Sequence, residues 1–377
     1  MNKSNLSMRE QIQYSQQIKL DEIGLAGQEK LKNARVLCIG LGGLGSPLLL
    51  YLAAAGVGTL GIVDDDIIEL SNLPRQILYY QSHVNQKKAI AAKEQLQKIN
   101  PFIQIISSTD RLTEDNAAEL ISQYDIIADG TDNFYTRYLI HSICFKLEKP
   151  YVYASAAQLQ GYCSIFHGKQ SPCFHCLFPV SSSRINVSNC EISGVVGPLP
   201  GILGIIQATE IIKWILQIGN PLKNRLLIVD LLKMTFKEIL LSKNPDCEFC
   251  VHNQSIKELI CPANCQLPID SNNLSITKEE LHQLFLKNKD ITLIDVRTVK
   301  EHETQNIGGT VLPLEELSHR LKELNPDHLI ILYCQSGKRS QIALNILLKA
   351  GFTSVKYVAN GLSGVSTVYT NLYTCAP

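Results

Sequence analysis

The sequence predicts an α/β fold, with a doubly wound, Rossmann-like sheet in the first part of the chain and a smaller α/β unit in the second. Two observations predict it. Apolar, strand-like runs alternate with helical segments over residues 35–128, and the same alternation returns over residues 276–350. A glycine-rich turn, residues 40–45, joins the first of these strands to the first helix. Strands that alternate with helices are typical of a parallel sheet with helices on both of its faces.

The boundaries of these units follow from one segment without periodicity. Residues 251–275 carry Pro262, Pro268 and several Asn and Ser, and no helical or strand pattern runs through them. We therefore expect a first domain at residues 1–250, a linker at 251–275 and a second domain at 276–377.

Local sequence signals predict the individual helices and strands. In the first domain, Ser46 followed by Pro47 is typical of a helix start, because serine caps a helix and proline suits its first position. The expected elements of this domain are helices at 8–33, 46–55 and 87–99 and strands at 35–39, 60–63, 102–106 and 125–128. Those of the second domain are helices at 276–287 and 340–350 and strands at 291–294 and 329–333.

Composition excludes several classes of protein. The chain has 35 Lys and Arg against 35 Asp and Glu, and a net charge of zero argues against a nucleic-acid-binding protein. Its most apolar stretch, residues 194–218, is interrupted by prolines and charges, so we expect no membrane span. The first residues do not resemble a signal peptide, which predicts a cytoplasmic protein. In that compartment the 12 cysteines are expected to be metal ligands or nucleophiles.

The glycine turn predicts a nucleotide site. Gly40, Gly42 and Gly45 follow a strand and precede a helix, and Asp64 ends the next strand. Such glycines let backbone N–H groups approach phosphates, and the acid can bind ribose hydroxyls. This pattern alone fits both NAD and ATP.

The charged residues beyond the turn favour ATP. Arg75, Lys88 and Asp132 follow within the same domain. A hydride-transfer site needs no such set, whereas a nucleotidyl-transfer site uses cations to neutralise phosphates and an acid to hold Mg²⁺.

Five motifs together resemble the ThiF/MoeB/HesA family, relatives of ubiquitin-activating enzymes, over about residues 8–250. They are IGLGGLGSP, AAAGVGTLGIVDDD, SNLPRQ, DGTDNFYTRY and GPLPGILGIIQATEIIK. The resemblance implies adenylation of the C-terminal glycine of a small ubiquitin-like protein. It also implies that Lys88 and Arg75 stabilise charge on the α-phosphate, that Asp132 is the Mg²⁺ ligand, and that ATP is bound by Gly43, Asp64, Ser71, Asn72, Arg75, Lys88, Asp132 and Asn133.

The chain departs from that family near its beginning. The family segment Arg-Tyr-x-Arg-Gln, whose second arginine reaches the ATP of the partner subunit in a dimer, reads Gln13-Tyr14-Ser15-Gln16-Gln17 here. A neutral amide donates hydrogen bonds but carries no charge. Either Lys19 or another cation substitutes, or adenylation is slower.

Two C-x-x-C pairs predict a structural zinc site. Cys173 with Cys176, and Cys247 with Cys250, can bring four thiolates to one ion. Four thiolates leave no open position for water, so the zinc would be structural. The ThiF/MoeB/HesA family carries such pairs at these places. We expect His175 to point away from the metal.

A loop in the second domain predicts a reactive thiol. Cys334 precedes Gly337, Lys338 and Arg339 between a strand and a helix, where backbone N–H groups, the helix end and two cations favour a thiolate or persulfide. The C-x-x-G-x-R pattern resembles the rhodanese family over about residues 275–366. A phosphatase loop is the rival interpretation, and the loop length suits sulfur better than phosphate. The usual Gly-His-Ile segment is altered to Gln305-Asn306-Ile307.

A further cysteine lies in a polar stretch of the first domain. By the family resemblance, Cys190 sits in a mobile loop near the adenylate. It either forms a thioester with the carrier or resolves an acyl disulfide after sulfur transfer; an unused thiol is the remaining possibility.

These expectations combine into one function. The enzyme adenylates a ubiquitin-like sulfur carrier with a Gly-Gly tail and converts it to a thiocarboxylate with sulfur from Cys334. It would use ATP, Mg²⁺ and Zn²⁺, act as a homodimer, and take sulfur from a cysteine desulfurase or thiosulfate. Molybdopterin synthesis is the expected pathway; thiamine, cysteine or tRNA thiolation are alternatives. An NAD-dependent oxidoreductase and a sulfur-sensing regulatory module remain as rivals.

Overall fold

A computed structural model describes residues 5–179, 194–253, 274–287, 291–317, 319–326, 328–359 and 361–364. The chain divides into two compact units, residues 1–263 and 264–377. The predicted linker lies almost wholly outside the described residues, so its boundaries stay a prediction.

The first unit contains nine helices and eight strands among its described residues. The helices are α1 Met8–Gln13, α2 Ser15–Ile18, α3 Gly24–Asn33, α4 Gly45–Ala55, α5 Lys88–Ile99, α6 Glu114–Ser122, α7 Phe134–Lys146, α8 Phe174–Leu177 and α9 Pro198–Leu216. The strands are β1 Arg35–Ile39, β2 Thr59–Val63, β3 Gln104–Ser108, β4 Ile126–Asp129, β5 Tyr151–Ala157, β6 Gln160–Phe166, β7 Arg225–Asp230 and β8 Thr235–Leu240.

These strands form one sheet in the order β3-β2-β1-β4-β5-β6-β7-β8. The pairs from β3 to β5 are parallel, which confirms the predicted Rossmann-like fold, and β6 to β8 add an antiparallel extension. Ile39 pairs with Val63 on one side and with Asp129 on the other. The carboxyl ends of three neighbouring strands therefore meet at one edge, where ligands bind in such sheets.

Both faces of this sheet are covered. Alternate residues of β1 belong to different apolar clusters: Val36 and Cys38 lie in one, Leu37 and Ile39 in the other. Because strand side chains alternate between faces, each face has its own core. The sequence of β1 is therefore a nearly continuous apolar run, as expected of a parallel sheet that is buried on both faces.

Helix α9 lies in the first of these cores. Among the described residues it is the one helix long and apolar enough to cross a membrane by length and composition. Leu199, Leu203 and Ile211 have no exposed surface and pack with strand residues in the same cluster. The apolar character that the sequence shows here is that of a core helix.

The second unit is a smaller parallel sheet. Its elements are β9 Ser275–Ile276, α10 Lys278–Lys287, β10 Ile291–Asp295, α11 Val299–Thr304, β11 Thr310–Val311, α12 Leu314–Leu317, β12 Leu329–Tyr333, α13 Lys338–Lys349 and β13 Val355–Val358. The strand order is β11-β10-β12-β13-β9, and every pairing is parallel. Residues of β12 again divide between two apolar clusters, so this sheet too is buried on both faces.

The observed bounds differ from the predicted ones at two places that matter for the sites. The segment 8–33, predicted as one helix, consists of the short helices α1, α2 and α3. Helix α13 begins at Lys338 rather than at Ser340, because Gly337 with φ of 88° is its N-terminal cap. The last residues of the cysteine loop are therefore already helical.

Candidate nucleotide site, metal centre and persulfide loop

The glycine turn fits tightly against a second turn at the sheet edge. Gly40 has φ of 89°, and a Cβ there would lie 2.6 Å from the carbonyl carbon of Gly130. A Cβ on Gly45 or on Gly130 would overlap the carbonyl oxygen of Gly40. Three glycines are thus required for the turn after β1 to pack against the turn after β4. Gly42 and Gly43 lie between Gly40 and Gly45 in the first turn. A Cβ on Gly42 would have open space around it apart from the side chain of Gln76.

Asp64 organises the turn from the end of β2. Its carboxylate accepts hydrogen bonds from the backbone N–H of Leu41 at 2.7 Å and of Asp66 at 2.9 Å. Burial raises the pKa of Asp64, and the Lys88 ammonium opposes this. The predicted ribose ligand is therefore also a structural acceptor for the turn.

Lys88 lies beside this carboxylate at the start of α5. It is 6% exposed, and its Nζ atom lies 2.9 Å from the Asp66 carboxylate. The hydroxyl of Tyr79 donates to the carbonyl of Leu41 at 3.0 Å and lies 3.4 Å from that of Lys88, which ties α5 to the glycine turn. A solvated surface lysine would be exposed, so this position is built to hold a cation near the turn.

The SNLPRQ segment forms a short 3-10 turn, Leu70–Asn72, close to the glycines. Asn72 is buried, and Arg75 donates from Nη1 to the carbonyl of Ser71 at 3.0 Å. A Cβ on Gly43 would lie 3.4 Å from the Arg75 carbonyl. Arg75 is a half-buried residue and forms no ion pair with a carboxylate in the described part of the chain, so its guanidinium can offer its charge to a phosphate.

Asp132 and Asn133 follow β4 at the same edge. Asp132 is exposed, and Asn133 caps α7 by accepting a hydrogen bond from the Thr136 N–H at 2.9 Å. The Asn133 side chain is thus engaged in a helix cap, which the sequence did not predict. The exposed carboxylate of Asp132 is of a type that can bind Mg²⁺.

The structure thus brings all of the predicted nucleotide residues to one sheet edge: Gly40, Gly42, Gly43, Gly45, Asp64, Ser71, Asn72, Arg75, Lys88, Asp132 and Asn133. Gly42 lacks the close contacts that fix Gly40 and Gly45, so its backbone is open to a ligand. Gln13 and Gln16 are exposed, while Tyr14 between them is buried and accepts a hydrogen bond from Asn100. Cys190 lies outside the described residues.

The four cysteines form one compact cluster. The sulfur atoms of Cys173, Cys176, Cys247 and Cys250 all lie within 4.8 Å of one another. Three of the S···S distances are 3.6, 3.7 and 3.6 Å. Tetrahedral zinc with Zn–S bonds of about 2.3 Å separates its ligands by about this distance, so the residues fit the metal.

His175 does not belong to this ligand set. Its ring stacks on Phe249 with centroids 4.3 Å apart and an interplanar angle of 9°. Burial lowers the pKa of His175 to about 3, so the ring is neutral at physiological pH. The neutral ring packs beside the cysteine cluster together with Phe249.

Cys334 lies directly after β12 in a cradle of the second unit. Its sulfur accepts the backbone N–H of Gly337 at 3.2 Å and lies 3.5 Å from the Ser340 hydroxyl. That hydroxyl donates to the Gly337 carbonyl at 2.8 Å. On the other side, the N–H of Leu362 donates to the Cys334 carbonyl at 2.9 Å. The cysteine is fully buried and precedes the N-terminal cap of helix α13, Gly337.

The Arg339 guanidinium is paired with a carboxylate. Both of its terminal nitrogens donate to the Glu301 carboxylate, at 2.9 and 2.6 Å. This ion pair lowers the pKa of Glu301 to about 2. The sequence predicted the cation but not its partner, which lies on a different helix, α11.

The altered segment before β11 keeps a defined turn. Asn306 donates to the carbonyl of His302 at 2.8 Å and accepts the N–H of Gly308 at 2.9 Å. The carbonyl of Gln305 accepts a hydrogen bond from Arg297. The asparagine therefore closes α11 and starts the next turn, so its departure from the usual residues leaves the segment ordered by hydrogen bonds.

Comparison with known proteins matches each of the two units to a protein family. Residues 14–249 match the ThiF family, and residues 277–367 match the rhodanese-like domain. The chain belongs to the ThiF family. Its motif-based resemblance to ThiF/MoeB/HesA proteins and to rhodaneses is confirmed.

Two relatives match almost the whole chain. The probable adenylyltransferase/sulfurtransferase MoeZ of Mycobacterium tuberculosis is 37% identical over 373 residues, covering 95% of this chain and 93% of the relative. The probable molybdopterin-synthase adenylyltransferase of Porphyra purpurea is 37% identical over 371 residues, covering 97% of this chain and 95% of the relative. This ThiF-family chain is an enzyme of the adenylyltransferase and sulfurtransferase class, and that class uses ATP.

A solved structure shares the fold over part of this chain. Escherichia coli MccB in complex with MccA-N7isoASN superposes with a TM-score of 0.57 at 21% identity, covering 66% of this chain and 76% of that one. At this identity the similarity concerns the fold alone.

Proposed function

We propose that this ThiF-family enzyme activates the C-terminal glycine of a ubiquitin-like sulfur carrier and replaces its carboxylate by a thiocarboxylate. One observation carries the proposal. The same chain holds a glycine turn flanked by the buried cation Lys88 and a cysteine loop in which Cys334 accepts a backbone N–H. The first arrangement suits nucleotidyl transfer, and the second suits a sulfur anion.

In the first step the carrier carboxylate attacks the α-phosphorus of ATP, and pyrophosphate leaves with the electron pair of the broken P–O bond. We assign Lys88 and Arg75 to the charge that develops on the α-phosphate. Asp132 would hold Mg²⁺, which supplies further charge neutralisation. The product is a carrier acyl-adenylate, a far better electrophile than a carboxylate.

In the second step a persulfide on Cys334 attacks the acyl carbon, and AMP leaves. The carrier is then joined to Cys334 through an acyl disulfide. A thiol attacks the sulfur of Cys334, so the S–S bond breaks and the carrier departs as a thiocarboxylate. We assign this thiol to Cys190 or to an external dithiol. In either case an external dithiol reduces the new disulfide of Cys334 back to thiols.

The zinc cluster would stabilise the first unit without touching the reaction. We further propose that two copies of the chain form a homodimer in the cytoplasm, and that the sulfur comes from a cysteine desulfurase or thiosulfate. Molybdopterin synthesis is the proposed pathway, because the Porphyra purpurea relative bears that name.

The test is mass spectrometry of candidate carriers after incubation with the full-length enzyme, ATP and a sulfur source. The expected result is a mass gain equal to replacement of one oxygen by sulfur, on the molybdopterin-type carrier in preference to carriers for thiamine, cysteine or tRNA thiolation. Cys334→Ser should stop at the acyl-adenylate, so ATP–pyrophosphate exchange persists without sulfur gain. Absence of exchange with every carrier, with a folded enzyme, would refute the proposal.

A further inference from the structure

The loop cation Arg339 is neutralised by a carboxylate that is itself firmly held. Glu301 accepts hydrogen bonds from the Thr298 hydroxyl at 2.9 Å and the Thr298 N–H at 3.1 Å, and its own N–H donates to the Thr298 hydroxyl. This capping box fixes Glu301 at the start of α11. The carboxylate therefore meets Arg339 from a rigid position, and a bidentate pair of this kind is among the stronger ion pairs.

The second guanidinium near the loop is neutralised in the same way. Arg297 donates from Nε and Nη2 to the Asp295 carboxylate, at 2.9 and 2.7 Å, and both residues are buried. Its Nη1 atom reaches the loop, where it lies 3.2 Å from the Gln335 side-chain oxygen. Each described guanidinium around Cys334 thus has its own carboxylate, Asp295 for Arg297 and Glu301 for Arg339.

Sulfur donors differ in the negative charge that they bring to this loop. Thiosulfate is a compact dianion, whereas a persulfide presents one negative sulfur at the reacting end. A site that attracts a small dianion needs positive charge that is not already compensated. Glu301 removes such a charge from the loop, and Asp295 cannot be changed without leaving Arg297 buried and unpaired. Glu301 is therefore the residue that sets how much uncompensated positive charge the loop offers to a sulfur donor.

We propose that Glu301 is a specificity-determining residue for sulfur loading, because its pairing with Arg339 disfavours small dianionic donors relative to persulfides. This rests on the proposed function of Cys334 as the sulfur carrier. In the loading step the Cys334 thiolate attacks the outer sulfur of thiosulfate, the S–S bond breaks, and sulfite leaves with its electron pair. With a persulfide donor, the Cys334 thiolate attacks the terminal sulfur in its protonated form, the donor's S–S bond breaks, and the donor's thiolate leaves while the proton stays on the transferred sulfur.

The test measures loading of the full-length enzyme with inorganic thiosulfate and with cysteine persulfide, followed by thiocyanate formation when cyanide removes the outer sulfur. Glu301→Gln is the variant, since glutamine retains the capping box. Glu303→Gln is the matched control, because it removes the same charge from an exposed position of the same helix. Thermal melting of each protein verifies folding.

We expect Glu301→Gln to raise kcat/KM for thiosulfate on the order of tenfold, chiefly through KM, and to change that for cysteine persulfide by less than about twofold. Added salt should reduce the gain. The double variant Glu301→Gln with Arg339→Gln should lose it. Equal behaviour of Glu301→Gln and Glu303→Gln, or an equal gain for both donors, would overturn the inference alone. A wild-type enzyme that takes sulfur from neither donor would overturn the proposed function and the inference with it.

Discussion

Asp129 and Arg137 form a buried ion pair directly behind the turn that carries Asp132. The Arg137 Nε atom lies 3.7 Å from the Asp129 carboxylate, and its Nη2 atom donates to the carbonyl of Thr131 at 2.6 Å. Asp129 also accepts the N–H and hydroxyl of Thr131, at 2.8 and 2.6 Å. Burial raises the pKa of Asp129, and the Arg137 charge opposes this. The pair therefore sets the path of the backbone from Gly130 to Asp132.

Replacement of Arg137 by Met should destabilise the first unit by about 3 kcal/mol or more, because it leaves the Asp129 carboxylate buried without a counter-charge. Urea unfolding followed by fluorescence reports this directly, since Trp214 is the single tryptophan of the chain. Arg111→Met, at an exposed position, is the control and should change stability by less than about 0.5 kcal/mol. Adding Asp129→Asn to Arg137→Met should restore part of the loss. A single-variant effect below about 1 kcal/mol would contradict the role given to the pair.

The two glycine positions of the turn should behave differently. Gly45→Ala should destabilise the fold, since the new Cβ overlaps the Gly40 carbonyl oxygen. Gly42→Ala meets only the end of the Gln76 side chain, at 3.7 Å, so its stability should stay close to wild type. Its ATP affinity should nevertheless fall, because the methyl group enters the space through which the backbone would approach phosphates. Urea unfolding and ATP titration separate the two effects; unchanged ATP affinity in folded Gly42→Ala would argue against phosphate binding at this turn.

The extent to which sequence predicted these sites follows from how local each signal is. Three of the site features are short motifs with fixed spacing, so the sequence alone reveals them: the glycine turn, the two C-x-x-C pairs and the loop from Cys334. The partner Glu301 could not, because 38 residues separate it from Arg339 and only the fold brings them together. Gln76 and Ser340 are both buried and directly follow the predicted residues Arg75 and Arg339. Their adjacency to these motifs was the signal available in the sequence.

The fold shows the same division. Strand β12 coincides with its predicted bounds, because an apolar run directly before a functional loop is unambiguous. Strands β5 to β8 were not predicted, and among them β8 is mostly exposed and lacks a strong apolar pattern. The segment 8–33 was predicted as one helix because its polar composition gives no internal stop signal stronger than Gly24, which has φ of 56° and starts α3.

The cysteine cluster should bind one zinc ion per chain. Cys247→Ser should abolish the bound zinc and lower the free energy of unfolding of the first unit by several kcal/mol, because three remaining ligands hold the metal poorly. Cys163→Ala removes a buried cysteine of β6 outside the cluster and should keep its zinc. Metal analysis of both purified proteins is the measurement. Equal zinc content in the two variants would show that the cluster is not the site.

Acid should weaken the link between α11 and α13. The pKa of Glu301 is lowered to about 2 by Arg339, from an ordinary value near 4.5. A carboxylate with a lowered folded pKa stabilises the fold fully above its unfolded value, and this stabilisation is lost as the pH falls toward the folded value. The difference in melting temperature between wild type and Glu301→Gln should therefore shrink as the pH is lowered from about 5 to about 2. Calorimetry at a series of pH values measures it, with Glu303→Gln as control; a difference that is constant with pH would contradict the ion pair.

The exposed glutamines near the beginning of the chain offer a test of the proposed dimer. By resemblance to the family, Gln16 occupies the place of an arginine that reaches the partner subunit's ATP. Gln16→Arg should not disturb folding, since the side chain is exposed while Tyr14 and Gln17 anchor the segment, Gln17 through a hydrogen bond to Gln28 at 3.0 Å. A guanidinium near the phosphates stabilises charge in the transition state.

We therefore expect Gln16→Arg to raise the rate of ATP–pyrophosphate exchange on the order of tenfold. Gln11→Arg adds the same charge to an exposed position of α1 and should leave the rate unchanged. Because the added arginine acts across a subunit boundary, the gain should disappear at protein concentrations low enough to dissociate the dimer, as checked by analytical ultracentrifugation. A gain that persists in the monomer would place the arginine beside its own chain's ATP, and equal rates for both variants would show that this position lies away from the nucleotide.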